Sequence, residues 1–171
     1  MESGKMIKLA ERRIFSQSFK PLYNEGMSLV EEAAEYLDGK GRAEAKRLSR
    51  LAATLYAAES MRLTTRLMQV ASWLLLQRAA NSGEMTRDQV ASEKSKVRLD
   101  TASAHDEVSS WSELPTEFRD LVNRSLSLQA RVRRLDDEIY GNSRHVAEQP
   151  SREGSPVSDQ ITLLRTVFAR G

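Results

Sequence analysis

Across residues 43–80 (AEAKRLSRLAATLYAAESMRLTTRLMQVASWLLLQRAA) apolar side chains recur with a helical period, and no Pro, Gly or Asn interrupts them. Gly41 before this stretch and Asn81-Ser82-Gly83 after it are breakers. The pattern predicts one helix of roughly 57 Å at about 1.5 Å per residue. Leu48, Ala52, Leu55, Tyr56, Leu63, Leu67, Val70 and Leu74 form a broad arc expected to face the interior of the domain. Met61, Met68 and Leu75, spaced by seven, lie nearly opposite, with small Thr64, Thr65, Ala71 and Ser72 in the steps between. One wide arc suffices for a helix in a three-helix bundle. The surplus arc therefore reads as a self-association seam, as a docking face for the shorter helix that follows, or as a side covered by the rest of the chain. Met61, Met68, Ala71, Ser72 and Leu75 are the candidate self-association face.

Two further stretches share the helical period. Phe19, Leu22, Tyr23, Met27, Val30, Ala34 and Leu37 predict a helix over 19–38, with Pro21 in its first turn and Gly39 as a left-handed C-cap. The short connection makes this helix an antiparallel neighbour of the long one. Pro115 opens a third helix, in which Phe118, Leu121, Val122, Ser125, Leu128, Val132, Leu135 and Ile139 trace a stripe that Gly141 closes. Set antiparallel to the long helix, it would bring Asp136, Asp137 and Glu138 towards Lys46, Arg47 and Arg50. Thr86-Arg87-Asp88-Gln89 is a capping box that starts a shorter, weakly apolar helix over 86–99, with Val90, Val97 and Leu99. A polar loop follows over 101–113, anchored by Trp111.

The expected fold is all-α: a three-helix bundle with one very long central helix, a short extra helix and a flexible C-terminal tail. Residues 1–16 read as a loose basic arm, 17–141 as the bundle domain and 142–171 as the tail. The tail begins polar and Pro-containing (NSRHVAEQPSREGSPVSDQ), a composition that cannot build a core. Ile161, Leu164, Val167 and Phe168 then return at helical spacing. They read either as a partner-binding motif on a tether or as a segment folding back on the bundle.

Charge alters this picture little. Twenty-six Lys and Arg against twenty-four Asp and Glu leave a net charge of +2, which argues against a dedicated nucleic-acid binder. The densest basic patch is Lys40, Arg42, Lys46, Arg47 and Arg50. Its functional reading, a dimeric helical DNA-binding regulator using residues 40–50, competes with neutralisation by Glu31, Glu32, Glu35 and Asp38. Glu59, Arg62 and Arg66 share one edge of the broad arc and predict a polar interior network with arginine stems packed on the core, or a socket for a partner carboxylate.

Candidate chemistry is sparse. Zero cysteines exclude disulfides, thiolate metal sites and a cysteine nucleophile. The two histidines, His105 and His145, fall in polar stretches, and His105-Asp106-Glu107 are consecutive on a loop and do not converge on a point. Phosphate-loop and nucleophile-elbow motifs are missing. No enzyme activity, cofactor, metal or small-molecule substrate is expected. The N-terminus lacks the apolar core of a signal peptide, and the longest apolar cluster, from Trp73 to Leu76, is too short to span a bilayer. A cytoplasmic protein is the expectation.

Three blocks carry a family resemblance: Gly26-Met27-Ser28-Leu29-Val30-Glu31-Glu32 running to Tyr36-Leu37-Asp38-Gly39; the uninterrupted run from Glu59 to Leu75 (ESMRLTTRLMQVASWLL); and Arg134-Leu135-Asp136-Asp137 with Ile139-Tyr140-Gly141. In these the chain resembles the RcdA family, regulator of CtrA degradation, of alphaproteobacteria. The resemblance covers roughly residues 19–141; residues 86–113 and the tail add nothing diagnostic. It implies a dimeric three-helix bundle with a flexible C-terminal tail. It also implies a proteolytic adaptor that helps the ClpXP protease (ClpX with ClpP) capture substrates such as the cell-cycle regulator CtrA, with a CpdR-like protein priming the protease. The partners implied are a second copy, the protease, its primer and protein cargo. Neither a membrane nor nucleic acid is among them.

Overall fold

The computed structural model describes residues 2–103 and 109–141, with side chains from Gln17 onward. The described residues form α1 (Glu2–Asp38), α2 (Lys40–Ala45), α3 (Arg50–Asn81), α4 (Arg87–Lys94) and α5 (Thr116–Asp136), with no strand among them. A 3-10 turn at Ser109–Glu113 leads into α5, and a wider turn at Asp137–Gly141 continues it. The all-α expectation holds. Residues 2–16, expected as a loose arm, are helical and belong to α1.

The long helix starts later than its composition suggested. Between Ala45 and Arg50 the backbone tightens, with Arg47 and Leu48 donating to the carbonyls of Glu44 and Ala45. Ser49 then turns extended and caps α3, its hydroxyl accepting from the amide of Ala52 at 3.2 Å. A strong cap ends one helix and begins another without Gly or Pro, so 43–80 divides into α2 and a 32-residue α3 of about 48 Å. Gly39 is not left-handed (φ −111°); among the described residues only Gly83 is, at φ 79°. Gly41 answers to space instead: a Cβ there would lie 2.6 Å from both the Tyr36 ring and the Tyr56 hydroxyl.

Side-chain pairs set the directions of the helices. Tyr23 accepts from Arg78, Gly26 lies against Leu74, and Gly41, just past the end of α1, lies against Tyr56, so α1 runs antiparallel to α3. Ion pairs Glu25–Arg131, Glu32–Arg124 and Lys40–Glu117 run α1 and α2 antiparallel to α5. Tyr56 against Phe118 (4.5 Å between ring centres) and Arg66 on Ser125 (2.7 Å) then make α3 and α5 parallel, not antiparallel. The expected pairing of Asp136, Asp137 and Glu138 with Lys46, Arg47 and Arg50 needed antiparallel helices. Instead Glu113 and Glu117 stand at that end, accepting from Ser49 and Lys40. A parallel pair needs a chain that doubles back. Residues 82–115 provide it: α4 and the 3-10 turn both pack on α3, with an irregular strap at 97–103 between them in sequence.

The core follows the stripes with adjustments. In α5, Phe118, Leu121, Val122, Ser125, Leu128 and Val132 have no exposed surface. In α1 the buried line is Phe19, Leu22, Gly26, Leu29, Ala33 and Tyr36, so Leu29, Ala33 and Tyr36 replace the expected Met27, Val30 and Ala34. The broad arc is buried except for Leu48, which precedes α3, and Leu55, both half-buried. The short helix keeps its capping box but ends at Lys94 instead of 99, because Val90 is its sole buried apolar anchor. The chain divides into two units after Arg133. In the second, Leu135 and Tyr140 are buried.

Candidate protein-interaction surface

The second arc of α3 faces outward. Met61, Met68 and Leu75 are 73%, 66% and 51% exposed, and Leu51, at 66%, extends the line towards the helix start. These four are the large hydrophobic side chains left exposed among the described residues. Between them Thr54, Thr64, Thr65 and Ser72 are exposed and Ala58 and Ala71 half-buried. The hydroxyls of Thr54, Thr64 and Ser72 donate to carbonyls four residues back in their own helix. Those groups are satisfied internally, so the strip needs little water. Leu51, Thr54, Ala58, Met61, Thr65, Met68, Ser72 and Leu75 follow spacings of three and four, the period of a helix–helix seam. Small steps beside large ones let a second helix approach closely. α4 packs on α3 yet leaves the seam open, so the seam is not the docking face of the short helix.

Of the expected interior trio, Glu59 and Arg66 are buried and Arg62 is exposed. Arg62 pairs with Glu59 across one turn. Arg66 is wholly buried and points across the bundle instead. Its Nη1 donates to the hydroxyl of Ser125, its Nε to the carbonyl of Thr101 at 3.1 Å and its Nη2 to that of Ala102 at 3.2 Å. Burial holds the guanidinium below its ordinary pKa, with the charge of Glu59 acting in the opposite direction. Glu59, also wholly buried, accepts from the Ser103 hydroxyl at 2.7 Å. Thr101 donates its hydroxyl to Gln69, and Gln129 both donates to the Thr101 carbonyl and accepts from its amide. Gln69, Thr101, Ser103 and Gln129 were not anticipated. The available signal was Ser125 with Gln129, two polar residues one turn apart in an otherwise apolar stripe.

The basic patch is partly spoken for. Lys40 pairs with Glu117 and Glu44, and Arg42 with Asp38. Lys46, Arg47 and Arg50 are exposed. This arrangement gives no support to the DNA-binding alternative. Trp111 sits half-buried in the 3-10 turn, which packs on α3 as a loop anchor would. Among the described residues no group of three or more His, Cys, Asp or Glu is placed to hold a metal, and no helix is long and apolar enough to cross a membrane. His105, His145 and the motif Ile161, Leu164, Val167 and Phe168 lie outside the described residues.

Comparison with known proteins supplies what the geometry does not. The family model of DUF1465, a protein family of unknown function, matches residues 10–168. No curated protein matches. Among solved structures, the crystal structure of RcdA from Caulobacter crescentus is 50% identical, with a TM-score of 0.56. The similarity covers 71% of this chain and 90% of that one.

Proposed function

Because the chain belongs to the RcdA family, we propose that it is a non-catalytic adaptor that helps deliver protein cargo, a cell-cycle regulator of the CtrA kind, to the ClpXP protease. The observation that carries this reading is the identity of half the aligned residues with RcdA over nine-tenths of that chain. The open seam of α3 supports it, since an adaptor works through surfaces that other proteins cover. In this reading the seam joins two copies into a homodimer. The motif Ile161, Leu164, Val167 and Phe168 recruits a component of the protease complex, alongside a CpdR-like primer. The adaptor acts in the cytoplasm.

The test is degradation of cargo by reconstituted ClpXP with full-length protein or protein lacking residues 142–171. Truncation is expected to leave helicity and melting temperature nearly unchanged while delivery is lost. Undiminished degradation with the truncated protein would remove the tail from the mechanism.

A further inference from the structure

The floor beneath the strap at 97–103 is built unlike the rest of the bundle. Arg66, Glu59 and Ser125 have no exposed surface and Gln129 is 6% exposed, yet all are polar; Arg66, Glu59 and Gln129 bond three consecutive residues of irregular chain, and Ser125 holds Arg66 from below. Buried charges of this kind are costly unless well paired. Here much of the pairing comes from the strap.

The contacts are mostly to main chain. Arg66 reads the carbonyls of Thr101 and Ala102, and Gln129 reads both the amide and the carbonyl of Thr101. The two side-chain contacts come from hydroxyls, Thr101 to Gln69 and Ser103 to Glu59. The Ala102 residue between them is exposed. Apolar attachment is slight, for Val97 and Leu99 are only half-buried and Arg98 and Asp100 are exposed. A segment held on a polar floor mostly by its backbone and by two hydroxyls, with little apolar attachment, has the character of a bound peptide. Lifting it would hydrate Arg66 and Glu59 without separating the helices.

We infer that the cleft between α3 and α5 is a peptide-binding site occupied by the chain's own Thr101–Ser103 as an internal ligand. An extended peptide with two hydroxyl residues flanking a small one takes the same bonds when the strap lifts. This inference is independent of delivery to a protease, because its test involves only the protein and a peptide.

The probe is a fluorescent peptide of sequence VRLDTAS, copied from residues 97–103, titrated into full-length protein and followed by anisotropy. Intramolecular competition makes binding to the wild type weak. Thr101→Pro removes the strap's amide and hydroxyl donors, and the peptide is expected to bind this variant at least about tenfold more tightly. Adding Gln129→Leu should reverse the gain. Amide exchange in the wild type provides a second readout. The Thr101 amide should exchange by local opening, about a hundredfold or more faster than Leu63 and Leu67 in α3. No gain in binding by a folded Thr101→Pro protein would overturn the inference, as would a Thr101 amide that exchanges only on global unfolding. Should Thr101→Pro fail to fold, the exchange experiment decides alone.

Discussion

At the scale of single residues, the two tyrosines around Gly41 show how one hydroxyl's partner decides its energetic role. Tyr36 donates to Glu44 at 3.2 Å, while the buried hydroxyl of Tyr56 has no hydrogen-bond partner among the described residues. Burial is the first cause holding both phenols above their ordinary pKa. A buried hydroxyl left unpaired costs about 1–3 kcal/mol. Tyr56→Phe keeps the ring against Phe118 and removes that cost, so it is expected to stabilise the fold by about 1 kcal/mol, read as a higher urea midpoint with an unchanged slope. A loss of stability would mean that the hydroxyl is bonded in solution. None of this was visible in sequence, since alternating apolar and polar letters show that Tyr56 is inside but not what its oxygen meets. The charged trio was half legible. Glu59, Arg62 and Arg66 fell on one edge of the buried arc, and the Glu59–Arg62 pair is local, but the strap that bonds Arg66 and Glu59 lies 35 to 44 positions away, beyond the reach of any local pattern.

At the scale of elements, caps and connections explain where the sequence reading and the structure part. Helix periodicity identified the buried arcs of α3 and α5 because burial selects apolar side chains every three or four positions. It located the start of α3 poorly, because Lys46 to Leu48 are good helix formers and only Ser49 announces the new helix. Ser49→Ala should therefore cost about 1 kcal/mol, lowering the melting temperature, since the Ala52 amide and Glu113 both lose a partner. No change on substitution would show that the helix boundary is set elsewhere. The ion pairs joining α1 to α5 are weaker devices. Arg124 holds the Glu32 carboxyl below its ordinary value of 4.5, so the pair's stabilisation is complete above that pH and lost as pH falls through the lowered value. Both partners are more than 40% exposed, which limits the pair to less than about 1 kcal/mol. Unfolding at low salt should find Glu32→Gln slightly less stable than wild type at pH 7 and equal to it near pH 2, about two units below that ordinary value. A difference persisting in acid would assign the effect to packing.

At the scale of the whole molecule, the direction of α5 and the state of the α3 seam are the features that periodicity could not fix. An apolar stripe has no sense of direction, and a connection as long as 82–115 permits either one. The seam was legible as surplus, because one helix carried more apolar arc than two neighbours can cover, and the structure leaves Met61, Met68 and Leu75 exposed. Their size allows the proposed second copy to cover them. Four large side chains per copy, each gaining roughly 1–2 kcal/mol on burial, can together offset an association cost of about 4–15 kcal/mol. Met68 stands near the middle of the exposed line. Met68→Glu would place an unpaired carboxylate inside a dry seam, at a cost of several kcal/mol that falls on association alone. The expected result is a dimer for wild type and a monomer for the variant at micromolar concentration, a shift of at least about a hundredfold in dissociation constant, by sedimentation. Because the side chain is already 66% exposed within one subunit, helicity should not change. A wild type that sediments as a monomer, or a variant that stays dimeric, would place self-association on another surface and leave this strip for a different protein.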